Sequence, residues 1–443
     1  MSQESEKSTS RREFIRNATV TTAAAVSAAS AMPSTAAGMR RVIGANDRIN
    51  VAHIGVGTQG HYIHVRLMKD HAPDNNTNQI AVCDLYGRRI RESQAKLELK
   101  DSQTYTDYRK CLANKDIDAV VIATSDNWHA GCTIAALEAG KHVYCEKPLT
   151  KTVDEAFLVY DTVKKTKKTF QIGVQSTSTE KYKAAAAIVK AGTLGPMVVG
   201  QADYMRNGKV GEWNDYGRYD KDAGPQASGD AHVDWDTFRK GTAPAEWDTD
   251  RYFRWRKYWN YGSGIIGDLI PHKLHPLYIA MGIPTEGLDG FPLRVSAGGG
   301  LYVQKVNPDT GKLDREVPDF MTVSVDFANY SMILMSSTIN EEGWPFSIRL
   351  HKGTISFTGN EIVVKPERTF ADEVDESTTP AKGNPENFED HHKNFFSCIR
   401  DGKAPNGNID LAVRVQVILS LAERAYRESK TFTFDPKTRS VKG

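Results

Sequence analysis

Cysteine is scarce in this sequence. There are five in 443 residues (Cys83, Cys111, Cys132, Cys145 and Cys398), an odd number, and no two form a Cys-x-x-Cys pair. Neither a zinc ribbon nor a disulfide framework is supported, and buried free thiols are the natural reading. An excess of one charge is equally lacking: 57 Lys and Arg oppose 55 Asp and Glu, for a net charge of +2. No basic run with interleaved aromatics occurs outside the leader, so nothing in the charge favours nucleic acid or an anionic membrane as partner. Long apolar runs are missing too. The stretch from Ala18 to Ala31 is rich in Ala and Thr but poor in Leu, Ile and Phe, unlike a membrane helix of about 20 strongly apolar residues. Finally, no His, Cys and acid cluster has metal-ligand spacing. The nearest set, Asp268, His272 and His275, reads more economically as an acid–base group, and no metal is expected.

What is present begins with a leader. Ser10-Arg11-Arg12-Glu13-Phe14-Ile15-Arg16 precedes the weakly apolar stretch, and small residues follow at Ser34-Thr35-Ala36-Ala37. A paired arginine, a bulky apolar pair and a weak apolar segment read as a twin-arginine signal over residues 1–38, hence as export to the periplasm by that machinery. That route carries folded proteins. Any cofactor is therefore expected to be loaded before export and held tightly afterwards.

From Arg48 the pattern alternates strand and helix, as in a parallel, doubly wound sheet. Strands are predicted at Ile49–Ile54, Gln79–Cys83, Asp118–Ala123, His142–Cys145 and Thr169–Val174. The intervening helices are predicted at Tyr62–Lys69, Arg88–Leu99, His129–Ala139 and Val153–Lys167. The fully apolar Asp118–Ala123 run suits a strand buried on both faces. After a helix at Lys181–Lys190 and a strand at Met197–Tyr204, residues 205–263 lose periodicity. They carry Trp213, Trp235, Trp247, Trp255 and Trp259, too aromatic for disorder. Alternating strands between 292 and 365 imply a mostly antiparallel sheet, and two helices (Asn387–Arg400 and Leu411–Ser429) follow. The fold class is α/β: a Rossmann domain over 46–170, then an α+β domain over 171–443 with a large, open, mostly antiparallel sheet. The last helices are expected to pack back on the first domain.

Gly55-Val56-Gly57-Thr58-Gln59-Gly60 matches Gly-x-Gly-x-x-Gly between a strand and a helix. Gly55 permits the tight turn, Gly57 the close approach of backbone to pyrophosphate, and Gly60 close helix–strand packing. The helix N-terminus then supplies N–H donors to the phosphates. Asp84, ending the second strand, is placed to hold the ribose hydroxyls, which favours NAD. Arg88 and Arg89 follow and leave NADP open.

Two further stretches, Ala123-Thr124-Ser125-Asp126-Asn127-Trp128-His129 and Gly140-Lys141-His142-Val143-Tyr144-Cys145-Glu146-Lys147-Pro148-Leu149, resemble the Gfo/Idh/MocA oxidoreductases, the glucose–fructose oxidoreductase and inositol dehydrogenase family. Gly173-Val174-Gln175 is also similar. The resemblance implies a cofactor site that includes Thr124, Asn127, His129, Glu146 and Gln175, with Lys147 beside the nicotinamide and against the substrate oxygen. The position of Lys147 at the carboxyl end of a parallel strand supports this independently. The family's Asp-x-x-x-His pair corresponds to Asp268 and His272. Helical spacing of four places both on one face, so that the carboxylate orients the imidazole. His275, where the family usually has an acid, is expected on the same side. Family members commonly associate through the open sheet face, which implies a homo-oligomer.

These residues suit hydride transfer between bound NAD(P) and a hydroxyl or carbonyl carbon, with His272 as acid–base, Asp268 as its orienter and Lys147 steadying the alkoxide. Phe253-Arg254-Trp255-Arg256-Lys257-Tyr258-Trp259 directly precedes them. Aromatic faces stack on sugar rings and Arg donors reach hydroxyls, so Arg254, Trp255, Arg256 and Tyr258 are expected to contact a sugar or polyol. The same residues also serve redox-assisted cleavage of a glycoside, in which NAD is recycled.

Overall fold

In the computed structural model the described residues are 47–215, 219–307, 311–381 and 387–443. The expected twin-arginine leader, 1–38, lies outside them. Six parallel strands form the first sheet: β1 (Ile49–Ile54), β2 (Thr77–Cys83), β3 (Thr104–Tyr105), β4 (Ala119–Ile122), β5 (His142–Glu146) and β6 (Phe170–Gly173). Their order is β3-β2-β1-β4-β5-β6. This is the doubly wound Rossmann order, whose crevice opens at the carboxyl ends of β1 and β4. Strand alternation divides the apolar residues between two layers. Ile49, Val51, Ala119, Val121 and Tyr144 face Phe395 and Phe396 of the helix Phe388–Asp401. Ala52, Ile54, Val120, Ile122, Val143 and Cys145 point the other way, into the main core. All five cysteines are buried and free of disulfides.

The helix after β1 opens with one π-helical turn, Gly60–Val65, before continuing as Arg66–Asp70. The helix after β4 starts at Asp126, three residues earlier than the apolar pattern suggests, and runs to Glu138. The helix Val153–Thr166 is fixed at its start by a capping box between Thr152 and Glu155.

The second sheet has eleven strands. They are β7 (Met197–Asn207), β8 (Arg294–Gly300), β9 (Phe320–Asp326), β10 (Ser331–Ser337), β11 (Ile339–Asn340), β12 (Ser347–Leu350), β13 (Gly353–Thr358), β14 (Glu361–Pro366), β15 (Ser377–Pro380), β16 (Phe432–Asp435) and β17 (Ser440–Lys442). The order is β15-β14-β13-β12-β7-β10-β9-β8-β16-β17, with β11 on β7. β7 and β10 pair in parallel, while β9, β12 and β8 lie antiparallel to their neighbours. The helices Glu180–Ala191, Pro271–Ala280 and Ile409–Glu428 pack against this sheet and one another. The mostly antiparallel second layer expected from the alternating strands is thus what forms.

Between β7 and the helix Gly264–Asp268 the chain builds a small aromatic core of its own. Tyr86 joins Val233, Trp235, Phe238, Tyr252, Phe253, Tyr258 and Tyr261 there. Asp234 N–H donates to Leu85 O at 2.9 Å, Gly87 N–H to His232 O at 3.2 Å and Trp128 Nε1 to Phe238 O at 3.0 Å. Lys151 Nζ donates to Trp259 O at 2.7 Å. The segment is therefore fastened to the loops that follow β2 and β5 and to the first turn of the helix after β4. Its aromatic residues resist disorder because they have a core to fill.

Candidate active site at the ends of the parallel strands

A cleft of about 430 Å³ runs along the carboxyl ends of the parallel strands. Gly55, Gly57, Thr58, Gln59, Asp84, Thr124, Glu146, Lys147 and Gln175 line it, together with Tyr204, Arg206, Trp255, Arg256 and His272 from the second layer. The glycines are needed for shape. Gly55 has φ +83°, and a Cβ there would lie 2.7 Å from Ala123 C. A Cβ on Gly60 would lie 2.0 Å from Gly55 O, so the turn closes only with hydrogen at both positions. Val56 turns its side chain into an apolar cluster with Val65, Val82 and Ile90. It serves the site through its N–H, which donates to Asp84 Oδ2 at 2.8 Å. Tyr86 N–H donates to Asp84 Oδ1 at 3.0 Å. Two backbone donors thus hold the Asp84 carboxylate at the rim, where a ribose would lie.

Of the two arginines that left NADP open, Arg88 turns away. It bonds to Asp222 at 2.9 Å and faces Asp220 and Asp230. Arg89 lines the cleft, and its guanidinium lies over the rings of Tyr86, Tyr252 and Phe253 at 5.4–5.8 Å.

Two residues placed in the cofactor site by resemblance act behind it instead. His129 is buried, with Nδ1 2.6 Å from Pro148 O and Nε2 3.2 Å from Thr124 O. Both partners only accept, so the ring satisfies both as imidazolium. Burial opposes that charge, but Cys145, Asp126 and the Pro148 carbonyl outweigh it and raise the pKa to about 9. Asn127 accepts from Ser125 Oγ at 2.7 Å and is buried behind the lining.

At the other end, Glu146 and Lys147 leave β5 in opposite roles. Glu146 Oε1 accepts from His64 Nε2 at 2.8 Å and from Gln59 Nε2 at 3.1 Å. Burial disfavours this carboxylate, but the hydrogen bond and charge of His64, then Lys147 and Gln59, bring its pKa down to about 2. Lys147 Nζ reaches across to Asp268, 2.7 Å from Oδ1 and 2.6 Å from the backbone carbonyl. Arg256 Nε lies 3.1 Å from the same Oδ1, and Trp213 Nε1 donates to Oδ2 at 3.0 Å. Burial again opposes the charge, yet Lys147 and Arg256 keep Asp268 well below the usual carboxylate range.

This corrects the expected Asp268–His272 pair. The helix ending at Asp268 is separate from the one beginning at Pro271, with Leu269 and Ile270 between them. Both linking residues keep right-handed helical dihedrals, but the Asp268 oxygens are taken by Lys147, Arg256 and Trp213, so the carboxylate serves Lys147 rather than the imidazole. His272 lines the cleft beside Tyr204, ring centroids 5.7 Å apart. Burial, then the charge of Lys147, lowers its pKa to about 3. The imidazole is therefore neutral at pH 7 and open to accept a proton.

His275 is a second correction. It is 2% exposed, and Nδ1 faces Pro271 O at 3.0 Å, within its own helix and away from the cleft. In the aromatic run, Trp255 and Arg256 do line the cleft, Arg256 lying over the Trp255 ring at 4.2 Å. Arg254 and Tyr258 do not. Arg254 pairs with Asp250 at 2.9 Å, and the Tyr258 hydroxyl bonds to the same Asp250. The sequence reading overlooked Tyr204 and Arg206, joined at 2.9 Å with Arg206 also on Glu212 at 2.7 Å. It overlooked the buried Trp213 as well. Tyr204 and Arg206 sit two apart near the end of β7, so both project to one face; the predicted strand stopped at Tyr204, three residues short of the observed end, which hid the pair. No group of three or more His, Cys, Asp or Glu capable of holding a metal occurs among the described residues.

Residues 49–174 match the oxidoreductase family model GFO_IDH_MocA, described as an NAD-binding Rossmann fold. The α-N-acetylgalactosaminidase of Shewanella oneidensis is 29% identical over 233 residues, 46% of this chain and 50% of that protein. The chain thus spans about half the length of that curated relative. Among solved structures, levoglucosan dehydrogenase in complex with NADH and L-sorbose superposes with TM-score 0.64 at 18% identity, over 87% of this chain and 98% of the other. The aldose–aldose oxidoreductase of Caulobacter crescentus, complexed with glycerol, gives 0.60 at 18%, over 87% and 100%. These likenesses extend the fold beyond the first sheet. Over residues 49–174 the chain thus folds as an NAD-binding Rossmann domain similar to that of the Gfo/Idh/MocA oxidoreductases.

Proposed function

We propose that the protein is a nicotinamide-dependent oxidoreductase acting on a hydroxyl-bearing carbon of a sugar or polyol, with NAD as cofactor. The observation that carries this reading is the meeting of Lys147 and His272 in the same cleft as the glycine turn and Asp84. NAD, held by the glycine turn and Asp84, would supply the hydride acceptor for the carbon whose C–H bond breaks. His272 takes the hydroxyl proton and Lys147 steadies the oxygen as charge develops on it. Asp268 holds Lys147 in place and balances its charge. Arg206, Tyr204, Trp255 and Arg256 surround the substrate with donors and an aromatic face. Denaturing the purified protein should release NAD. Mixing intact protein with a panel of sugars and polyols should change nicotinamide absorbance for at least one of them.

A second reading has its own support. The segment over the cleft is fastened to two loops and a helix start of the nucleotide domain, and the curated relative above is a glycosidase. In this reading NAD remains bound. Oxidation of the sugar acidifies a neighbouring C–H, loss of that proton expels the aglycone, water adds, and the stored hydride returns. Release of aglycone from an aryl glycoside without added nicotinamide selects this cycle, and steady nicotinamide reduction by a free sugar selects dehydrogenation.

The same proposal divides the chain into a leader (1–38), a nucleotide domain (46–170) and a substrate and assembly domain (171–443), with homo-oligomers forming through the second sheet. Arg11-Arg12 and the weakly apolar stretch after them support export by the twin-arginine route. Replacing both arginines by lysine should strand the protein in the cytoplasm.

A further inference from the structure

Behind the cleft lies a buried set of polar groups that the hydride-transfer scheme does not use. His64 is completely buried in the π-helical turn after the glycine loop. Its Nε2 lies 2.8 Å from Glu146 Oε1, and its Nδ1 lies 3.0 Å from Nε2 of His392, also buried. The nitrogen facing the carboxylate must carry a hydrogen, since a carboxylate only accepts. Gln59 donates to the same Oε1, and the Lys147 N–H lies 3.2 Å from Oε2. Opposite, a Cβ on Gly173 would sit 3.0 Å from Glu146 Cδ and Oε1, so the carboxylate is hemmed in by β6 as well as held by donors. Three donors converging on one buried acid favour its ionised form.

The Lys147 ammonium offsets this charge only in part, because it is paired with Asp268 at 2.7 Å. Glu146 therefore presents an anion at the end of β5. In this strand order the β1–β3 half takes the adenosine, marked by Asp84, and the β4–β6 half takes the nicotinamide. Oxidised nicotinamide carries a positive ring and reduced nicotinamide a neutral one. A fixed anion on that side stabilises the first and not the second.

We propose that His64, backed by His392, is a positioning residue that holds the Glu146 carboxylate toward the nicotinamide half of the cleft, and that Glu146 thereby biases the bound cofactor toward its oxidised form. The inference rests on the nucleotide reading above. It makes the bound reduced form a stronger hydride donor than the free one, which suits an enzyme that must hand its hydride back.

The experiment is a pair of equilibrium titrations of the full chain, freed of nucleotide, with NAD⁺ and with NADH. They are made on the wild type, Glu146→Gln, His64→Leu and His64→Gln. Glu146→Gln keeps shape and removes charge. It should shift the ratio of the two affinities about tenfold toward NADH, equivalent to a rise of about 30 mV in the potential of the bound two-electron couple. His64→Leu should shift the ratio the same way by a smaller factor, and His64→Gln, which restores a donor, should recover most of it. A purely structural role for His64 weakens both affinities alike and leaves the ratio fixed. An unchanged ratio in Glu146→Gln, with both nucleotides still bound, overturns the proposal alone. If Glu146→Gln fails to fold, an unchanged ratio in His64→Leu does the same. Failure of the wild type to bind either nucleotide overturns the nucleotide reading and this proposal together.

Discussion

Lys147 Nζ and Asp268 Oδ1 stand 2.7 Å apart, and through that contact the end of the parallel sheet is tied to the short helix that leads into the one bearing His272. Both side chains are largely buried, 11% and 13% exposed, and breaking such a pair on one side leaves an uncompensated charge. Lys147→Met should lower kcat/KM by roughly two to four orders of magnitude. Asp268→Asn should do nearly as much while leaving NAD affinity within a few-fold. Kinetics with the best sugar of the panel, alongside nucleotide titration, check both. If Asp268→Asn retains full activity, the carboxylate has no part in holding Lys147.

Acid should destabilise the protein from about pH 6.5 downward. Burial, as the largest influence, lowers His53, His275 and His391 to about 4 and His272 to about 3. Below about 6.5 the unfolded chain takes up protons that the folded chain refuses, so stability is complete above that value and is lost as pH falls toward 4 and 3. His129 has the opposite sign: raised to about 9, its contribution is full below 6.5 and lost as pH rises through 9. Calorimetric Tm values from pH 4 to pH 9 should therefore peak near neutrality and fall more steeply on the acid side. A flat profile between pH 4 and 6.5 contradicts the burial of these rings.

Asp84 should decide between NAD and NADP. Its carboxylate repels a 2′-phosphate, while Arg89 already lines the same cleft and Arg88 is occupied by three aspartates. In Asp84→Ser the affinity for NAD should fall by about 10-fold or more, and that for NADP should rise, because Arg89 is left facing the phosphate. Removing Arg89 as well should abolish the NADP gain. Paired nucleotide titrations read out both steps.

Phe238 ties stability to cofactor retention. It packs among Trp235, Tyr252 and Tyr261 with ring centroids 4.8–5.6 Å apart, and its carbonyl accepts from Trp128. Phe238→Ala should cost about 3–5 kcal/mol of unfolding free energy. It should also speed NAD release, because the segment over the cleft loses the core that shapes it. Denaturant unfolding and the rate of nucleotide loss on dilution measure the two effects. Destabilisation without faster release separates the aromatic core from the cofactor.

The parts of the site legible in the sequence are those whose logic is local. The glycine turn and Asp84 are fixed by strand ends and tight-turn sterics within 30 residues, and both lie where their spacing implies. Lys147 is legible because a strand end is a position, not a partnership. Partners separated by long stretches of chain were not readable. Asp268 meets Lys147 across 121 residues, and His64 meets His392 across 328. The spacing rule for Asp268 and His272 failed because it says nothing of competing partners: Lys147, Arg256 and Trp213 occupy the carboxylate first. The aromatic run resisted reading for a different reason. Ring faces serve a sugar and a core equally well, and only packing separates Trp255 in the cleft from Tyr258 on Asp250.

His129 clips the loop after β4 to the turn after β5 by holding Thr124 O and Pro148 O on its two nitrogens. A staple at that place forbids the two strand ends to spread. The lining of the cleft is thereby cross-linked beneath Thr124 and Lys147, and the aromatic segment with Phe238 and Trp255 forms another part of its wall.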